Sequence, residues 1–322
     1  MRALRQPGLW LITGILGLWG LVILFLDDPT LRETSFTLLM FVALASSLNI
    51  LLGYTGYVSF GHIVFFGLGG YLGFYLVAVQ GCSLYLAALA GGLACSLLAV
   101  LIGLAVLRLR GAYFALATIG VNEAARAFVS NFTPFGGATG LSLDYSVYDL
   151  YGGSLKALWL SFILVWLISL AVVVTSYLVK QSRFGLGLMA IREDEDAAMT
   201  MGVKAPLAKT LAYALSALFP GIIGTIFFFK NGNVEPHDAF KLHMSIETLV
   251  MIMLGGQGTV LGPVLGGVAY ERLRGYLLVS PLFKSLHLAL SGLALLLIIL
   301  FVPAGVVGWL RRRFPKLRGV LE

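Results

Sequence analysis

The chain has 322 residues, 59% hydrophobic and only 11% charged, against about 25% charged in an ordinary soluble domain. A fold in water needs a polar skin that this composition does not supply, so the fold class is an all-α integral membrane protein. The net charge of +7 does not point to nucleic acid, because the basic residues lie between apolar runs or at the C-terminus and form no aromatic-interleaved face.

Apolar runs of spanning length predict helices near 9 to 26, 36 to 53, 63 to 80, 83 to 107, 112 to 130, 155 to 178, 210 to 229, 245 to 255, 260 to 279 and 285 to 305. That makes about ten, of which the eighth is short enough to be a half-helix turning back within the membrane. Arg2 and Arg5 ahead of the first run imitate a secretory signal, but no small-x-small cleavage site follows, so a retained first helix is expected. Placing both termini in the cytoplasm puts 14 of the 22 basic residues inside, including Arg108, Arg110, Lys180, Lys204, Lys209 and the tail of 311–322. The opposite side then receives Asp27, Asp28, Glu33, Asp144, Asp149, Glu235 and Asp238. No low-complexity linker divides the chain, so 1–322 reads as one transmembrane domain with a cytoplasmic loop at 179–209 and polar outer loops near 131 to 154 and 230 to 244.

Four constellations stand out in chain order. Asn49, Tyr54, Thr55, Ser59 and His62 are punctuated by Gly53, Gly56 and Gly61. A run of this kind breaks helix where hydrocarbon forbids unpaired backbone, so it is either a self-satisfied turn or the lining of a wet substrate pathway. In the fifth segment, Asn122 and Glu123 precede Arg126. Glu123 and Arg126 share a helical face, which allows a self-neutralising ion pair, and Asn122 or Glu123 could instead border the pathway. The loop SRFGLGLMAIREDEDAAMTMGVKAPLAKT, from Ser182 to Thr210, sets Leu188, Met189, Ile191, Ala197, Ala198 and Met201 among Arg192, Glu193, Asp194, Glu195 and Asp196. Short amphipathic helices fit it, able to dock a soluble partner, and so does a solvated acidic loop. Finally, Gly258, Gly262 and Gly266 recur every four residues, a helix-packing face. The pattern Gly53, Gly56, Val58, Gly61 is weakly echoed by Gly255, Gly258, Val260, Gly262.

Absences bound the chemistry. No Lys follows a Gly, so there is no phosphate-binding GxxxxGK[ST] loop, and HExxH and GxSxG are missing too. Cys82 and Cys95 make no CxxC pair and read as packing residues, and His237 and His243 beside Glu235 and Asp238 are thin grounds for a metal. No catalytic residue, cofactor or metal is expected, and any use of ATP must come from a partner. An ion-driven carrier would show more membrane-embedded titratable groups than Glu123, Glu271 and His62.

The segments LNILLGYTGYVSFGHIVFFGLGGY, LRGAYFALATIGVNEAARAF, RFGLGLMAIREDEDAAMTMGV and LGGQGTVLGPVLGG follow one another between Leu48 and Gly267, roughly two-thirds of the chain. In this order they resemble the permease subunits of bacterial branched-chain amino-acid importers of the ATP-binding-cassette class, the LivM-like branch. The resemblance implies a multi-pass protein of the cytoplasmic (inner) membrane that works with a second permease subunit, two ATPase subunits and an extracytoplasmic substrate-binding protein. It also implies that Arg192 to Gly202 is the ATPase-docking segment, with Asp196, Ala197, Ala198 and Gly202 on the family's EAA-x3-G pattern and Asp in place of Glu. Tyr57 stands where the family has Gln. Members of the family are also associated with urea, short amides and other amino acids.

Overall fold

The computed structural model describes residues 7–279, Leu293 and 305–313. The helices are α1 (Pro7–Leu26), α2 (Pro29–Thr55), α3 (Ile63–Ala78), α4 (Leu84–Val106), α5 (Ala112–Asn131), α6 (Ser154–Gln181), α7 (Arg183–Glu193), α8 (Glu195–Thr200), α9 (Ala205–Asn231), α10 (Pro236–Ala239), α11 (Leu242–Gly255), α12 (Leu261–Val279) and α13 (Gly305–Arg313). Two short strands, β1 (Leu141–Ser142) and β2 (Asn233–Val234), pair antiparallel and tie the 131–154 loop to the 230–240 loop.

Helix α2 is the axis of the bundle, and its ends are written into the sequence. The Asp28 carboxylate accepts from the amides of Thr30 and Leu31, Pro29 occupies the first turn, and Gly56 stops the helix at φ +78°. Its apolar stretch is 94% buried by other helices, whereas that of α4 is 28% buried, so α2 is the core and α4 an outer wall. Helix α9 runs antiparallel to α2: Lys230 at its end pairs with Glu33 at the start of α2, and Lys209 near its start reaches Tyr57 just past the end of α2.

Close approach of α3, α4 and α9 depends on small residues. A Cβ at Gly69, Gly91 or Gly224 would strike backbone of a neighbouring helix, and Thr225 Oγ1 donates to the Gly69 carbonyl at 2.9 Å. Pro220 sits inside α9 and has no N–H for the Ser216 carbonyl. That carbonyl is met instead by the Ser47 hydroxyl and by His62 Nε2 at 3.2 Å. An orphaned carbonyl in a dry core would cost about 1–3 kcal/mol, so the buried histidine has a structural employment here.

Among the described residues, α2, α4, α6 and α9 are long and apolar enough to cross a membrane, and Thr13–Leu26 and Ile63–Ala78 are shorter apolar helices. The expected spans at 112 to 130 and 260 to 279 form as α5 and α12. They fall outside that class because Glu123 and Arg126, and Glu271, Arg272 and Arg274, dilute their apolarity. The eighth expected segment is α11, with 14 residues. The tenth, near 285 to 305, and the tail beyond Arg313 lie outside the described residues, save Leu293 and Gly305.

Candidate functional site

The distinctive geometry lies where α2 and α9 present their Gly56 and Lys209 ends. Ser182 caps α7 by accepting from the Gly185 amide at 3.0 Å. Asp194 caps α8, its carboxylate accepting from the amides of Asp196 at 2.9 Å and Ala197 at 3.0 Å. Glu195 and Asp196 then fill the first turn of α8, the favourable end of the helix dipole for carboxylates. Gly202 ends the unit at φ +91°, where a side chain would strain the backbone. Leu188, Ile191 and Ala198 turn inward to a small core with Ile50, Tyr54 and Val179. Glu193, Asp194, Asp196 and Ala197 face outward, joined by Met199 and by Met201 at 86% exposure.

Glu195 does not face outward like its acidic neighbours. Its side chain is 13% exposed and accepts from Lys209 Nζ and from the Tyr57 hydroxyl, each at 2.7 Å, while Lys209 is 3% exposed. Lys209 also donates to the Tyr57 oxygen at 2.7 Å and to the Leu107 carbonyl at 3.0 Å. Burial alone would raise the Glu195 pKa, but the Lys209 and Tyr57 hydrogen bonds and the Lys209 and Arg110 charges outweigh it and hold the carboxyl below its usual range. Burial and then Glu195 push the Tyr57 phenol up. Arg110, in the α4–α5 turn, forks onto Asp196 with contacts of 2.8 and 3.1 Å, which lowers the Asp196 pKa. Helix α8 is thus bolted to α9, to the loop after α2 and to the start of α5.

Arg192, the penultimate residue of α7, makes a second connection. Its Nη1 donates to the Gly53 carbonyl at 2.8 Å, and its side chain lies against Gly56 and Gly258, where a Cβ would approach it to 3.3 and 2.6 Å. The two glycine breaks that echo each other in the sequence therefore meet around one guanidinium. Asn49 clasps the same junction, accepting from the Gly258 amide and donating to the Thr259 carbonyl, both at 3.0 Å, and Gln257 donates to the Leu52 carbonyl at 2.9 Å. Gly258, at φ +76°, belongs to this turn, whereas Gly262 and Gly266 let α12 close on α11 in the same chain.

The remaining pathway candidates are placed as follows. Tyr54 is buried and donates to the Ser176 carbonyl at 3.0 Å, Ser59 is buried beside Tyr213, and His62 serves the Ser216 carbonyl. Asn122 is buried and donates to the Phe240 carbonyl at 3.0 Å. Glu123 pairs with Arg126 at 2.6 Å, both half-exposed on a helix with few neighbours. Sequence reading missed Lys209, Arg110 and Gln257 as members of the junction. A lysine early in a long apolar helix is a signal of a buried partner, but its partner cannot be read from spacing.

Next to the junction lies a cavity of about 660 Å³, lined by the Thr55–Phe60 loop, the Arg110–Ala115 turn, Ile191, Arg192, Glu195, Leu249 and Met253. Among the described residues no cluster of His, Cys, Asp and Glu could hold a metal ion.

A multi-pass bundle of apolar helices with a capped, partly buried amphipathic helix pair at one end and glycine-broken helices beneath it is the build of a membrane permease. The family described as branched-chain amino acid transport system / permease component matches residues 31–301, and the chain belongs to it. It is 30% identical to the high-affinity branched-chain amino acid transport system permease protein LivM of Salmonella typhimurium, over 71% of this chain and 59% of that protein. Against LivM of Escherichia coli it is 28% identical, over 88% of this chain and 71% of that protein. LivH of Salmonella typhimurium, a permease protein of the same high-affinity system, is 26% identical over 45% of this chain and 46% of its own. No solved structure matches the chain.

Proposed function

We propose that the chain is the membrane-spanning permease subunit of an ATP-binding-cassette importer, which passes branched-chain amino acids delivered by an extracytoplasmic binding protein. A second permease subunit and two ATPase subunits complete it. The chain spans the inner membrane about ten times with both termini in the cytoplasm. Helices α7 and α8 receive the ATPase on their outward face, and the loops joined by β1 and β2 face the binding protein.

The observation that carries this reading is the division of labour on α8. Asp196 and Met199 on α8 and Met201 just past its end are presented outward, while Glu195 in the first turn of α8 is locked to buried Lys209. A helix pushed by ATP-driven closure of a partner transmits force only if its inner face is tied to the spans, and Glu195 and Arg192 supply two such ties, to α9 and to the break after α2. Glu123, half-exposed with Arg126, and Ser59, beside Tyr213, remain the pathway candidates on this geometry, because Asn49, Tyr54, His62 and Asn122 donate to or meet backbone carbonyls.

The test is uptake of labelled leucine, urea and a short amide by proteoliposomes holding the assembled importer and its binding protein. Leucine uptake that requires ATP supports the reading. Uptake of urea or the amide without leucine would keep the architecture and replace the cargo.

A further inference from the structure

The cavity beside α8 is not accounted for by docking or by packing. Its volume of about 660 Å³ lies within the roughly 300–1,000 Å³ of small-molecule sites. Most of its wall is apolar, from Val58, Phe60, Leu249 and Met253. Against that wall stand one carboxylate, Glu195, and two guanidinium groups, Arg110 and Arg192. Arg110 is already forked onto Asp196. Arg192 has five donors, of which Nη1 is directed to Gly53, which leaves an edge of the guanidinium for a carboxylate.

An apolar wall with a cation and an anion on the same lining is the complement of a zwitterion with a branched aliphatic side chain. A urea or short amide would leave the apolar wall unfilled and would bring neither a carboxylate to Arg192 nor an ammonium to Glu195, which already accepts from Lys209 and Tyr57. We infer that this cavity is a release-side binding site for the cargo, in which Arg192 takes the α-carboxylate, Glu195 the ammonium, and Val58, Phe60, Leu249 and Met253 the side chain. The assignment rests on the proposed function for its cargo and its orientation, and it adds the residues that hold the amino acid last before it leaves for the cytoplasm. Weak binding is expected, because a release site that held its ligand tightly would stall turnover, and because Glu195 shares its charge with Lys209.

The test uses the assembled importer, nucleotide-free and without its binding protein, titrated with labelled leucine. Saturable binding is expected, with a dissociation constant of about 1 mM. Unlabelled valine should compete, whereas leucinol, which lacks the carboxylate, and isocaproate, which lacks the amine, should compete at least tenfold less well, about 1.4 kcal/mol. Ala115→Trp, which fills the cavity from the α5 side, should weaken leucine binding by at least tenfold, and the analogue series reads the same site if that variant fails to assemble. Leucine uptake by the same complex together with no saturable binding, or binding that Ala115→Trp or removal of the carboxylate leaves unchanged, would overturn this assignment alone. Failure of leucine uptake itself would overturn the cargo reading, and this site with it.

Discussion

Arg192 Nη1 lies 2.8 Å from the Gly53 carbonyl oxygen, joining the last turn of α7 to the last turn of α2. The carbonyl is one of those left at a helix end, and the guanidinium that satisfies it also packs on Gly258 from the other glycine break. A single side chain on α7 therefore touches both breaks. Arg192→Gln removes the charge-assisted bond, about 1.5–3 kcal/mol, without opening the small core of α7. The expected result is uncoupling: reconstituted importer keeps hydrolysing ATP while uptake per ATP falls about tenfold or more. Equal loss of both activities would assign Arg192 to assembly.

Lys209 and Glu195 form the buried counterpart of that link. Removing one partner leaves the other charge buried alone, so Lys209→Met is expected to destabilise the protein by about 3–5 kcal/mol. The double variant Lys209→Met with Glu195→Gln leaves no stranded charge and should recover a large part of the loss, read as thermal unfolding in detergent. Losses that simply add would show that the two do not act as a pair. The pH dependence follows from the depressed Glu195 pKa. A carboxyl held below its unfolded value contributes stability above that value and loses it as pH falls through the folded one. Wild-type protein should therefore lose melting temperature on acidification below about pH 4.5, the ordinary glutamate range, and Glu195→Gln should flatten that slope.

His62 and Pro220 make a second pair that a double-variant cycle can resolve. His62→Ala leaves the Ser216 carbonyl with the Ser47 hydroxyl alone, a cost of about 1–2 kcal/mol. Pro220→Ala returns an N–H to the helix four residues on from Ser216, so it should lessen the cost of His62→Ala. An unchanged cost would mean that His62 is held for a reason other than the freed carbonyl.

How much of this was legible before folding follows from the range of each interaction. Capping is local, so Asp28, Pro29 and Gly56 mark the ends of α2 in the sequence itself. The amphipathic pattern of 182–210 likewise marks α7 and α8, because inward Leu188, Ile191 and Ala198 recur at helical spacing. What sequence left open is which polar residues serve the backbone. Asn49 and Gly258 are partners across 209 positions, and Lys209 and Tyr57 across 152. Such pairings come from the bundle and have no local signature, so Asn49, Tyr54 and His62 read equally well as pathway or as clasp. The echo of the two glycine breaks carried more than its pattern promised, since both breaks close on Arg192.

The docking proposal separates two positions that the sequence pattern treats alike. Ala198 is 4% exposed and faces the core shared with Leu188 and Ile191, whereas Met201, one turn on, is 86% exposed. A charge at Ala198 must enter an apolar core without a partner, so Ala198→Asp should lower the amount of folded permease itself. Met201→Asp changes only the outward face, where a partner's apolar groove would exclude a carboxylate. Permease yield and melting temperature should stay at wild-type values for Met201→Asp, while co-purification of the ATPase subunits falls at least about tenfold, the loss expected when a central apolar anchor worth more than 1.4 kcal/mol is removed. If Met201→Asp and Met199→Asp both leave ATPase co-purification unchanged, the outward face of α8 is not where the ATPase sits.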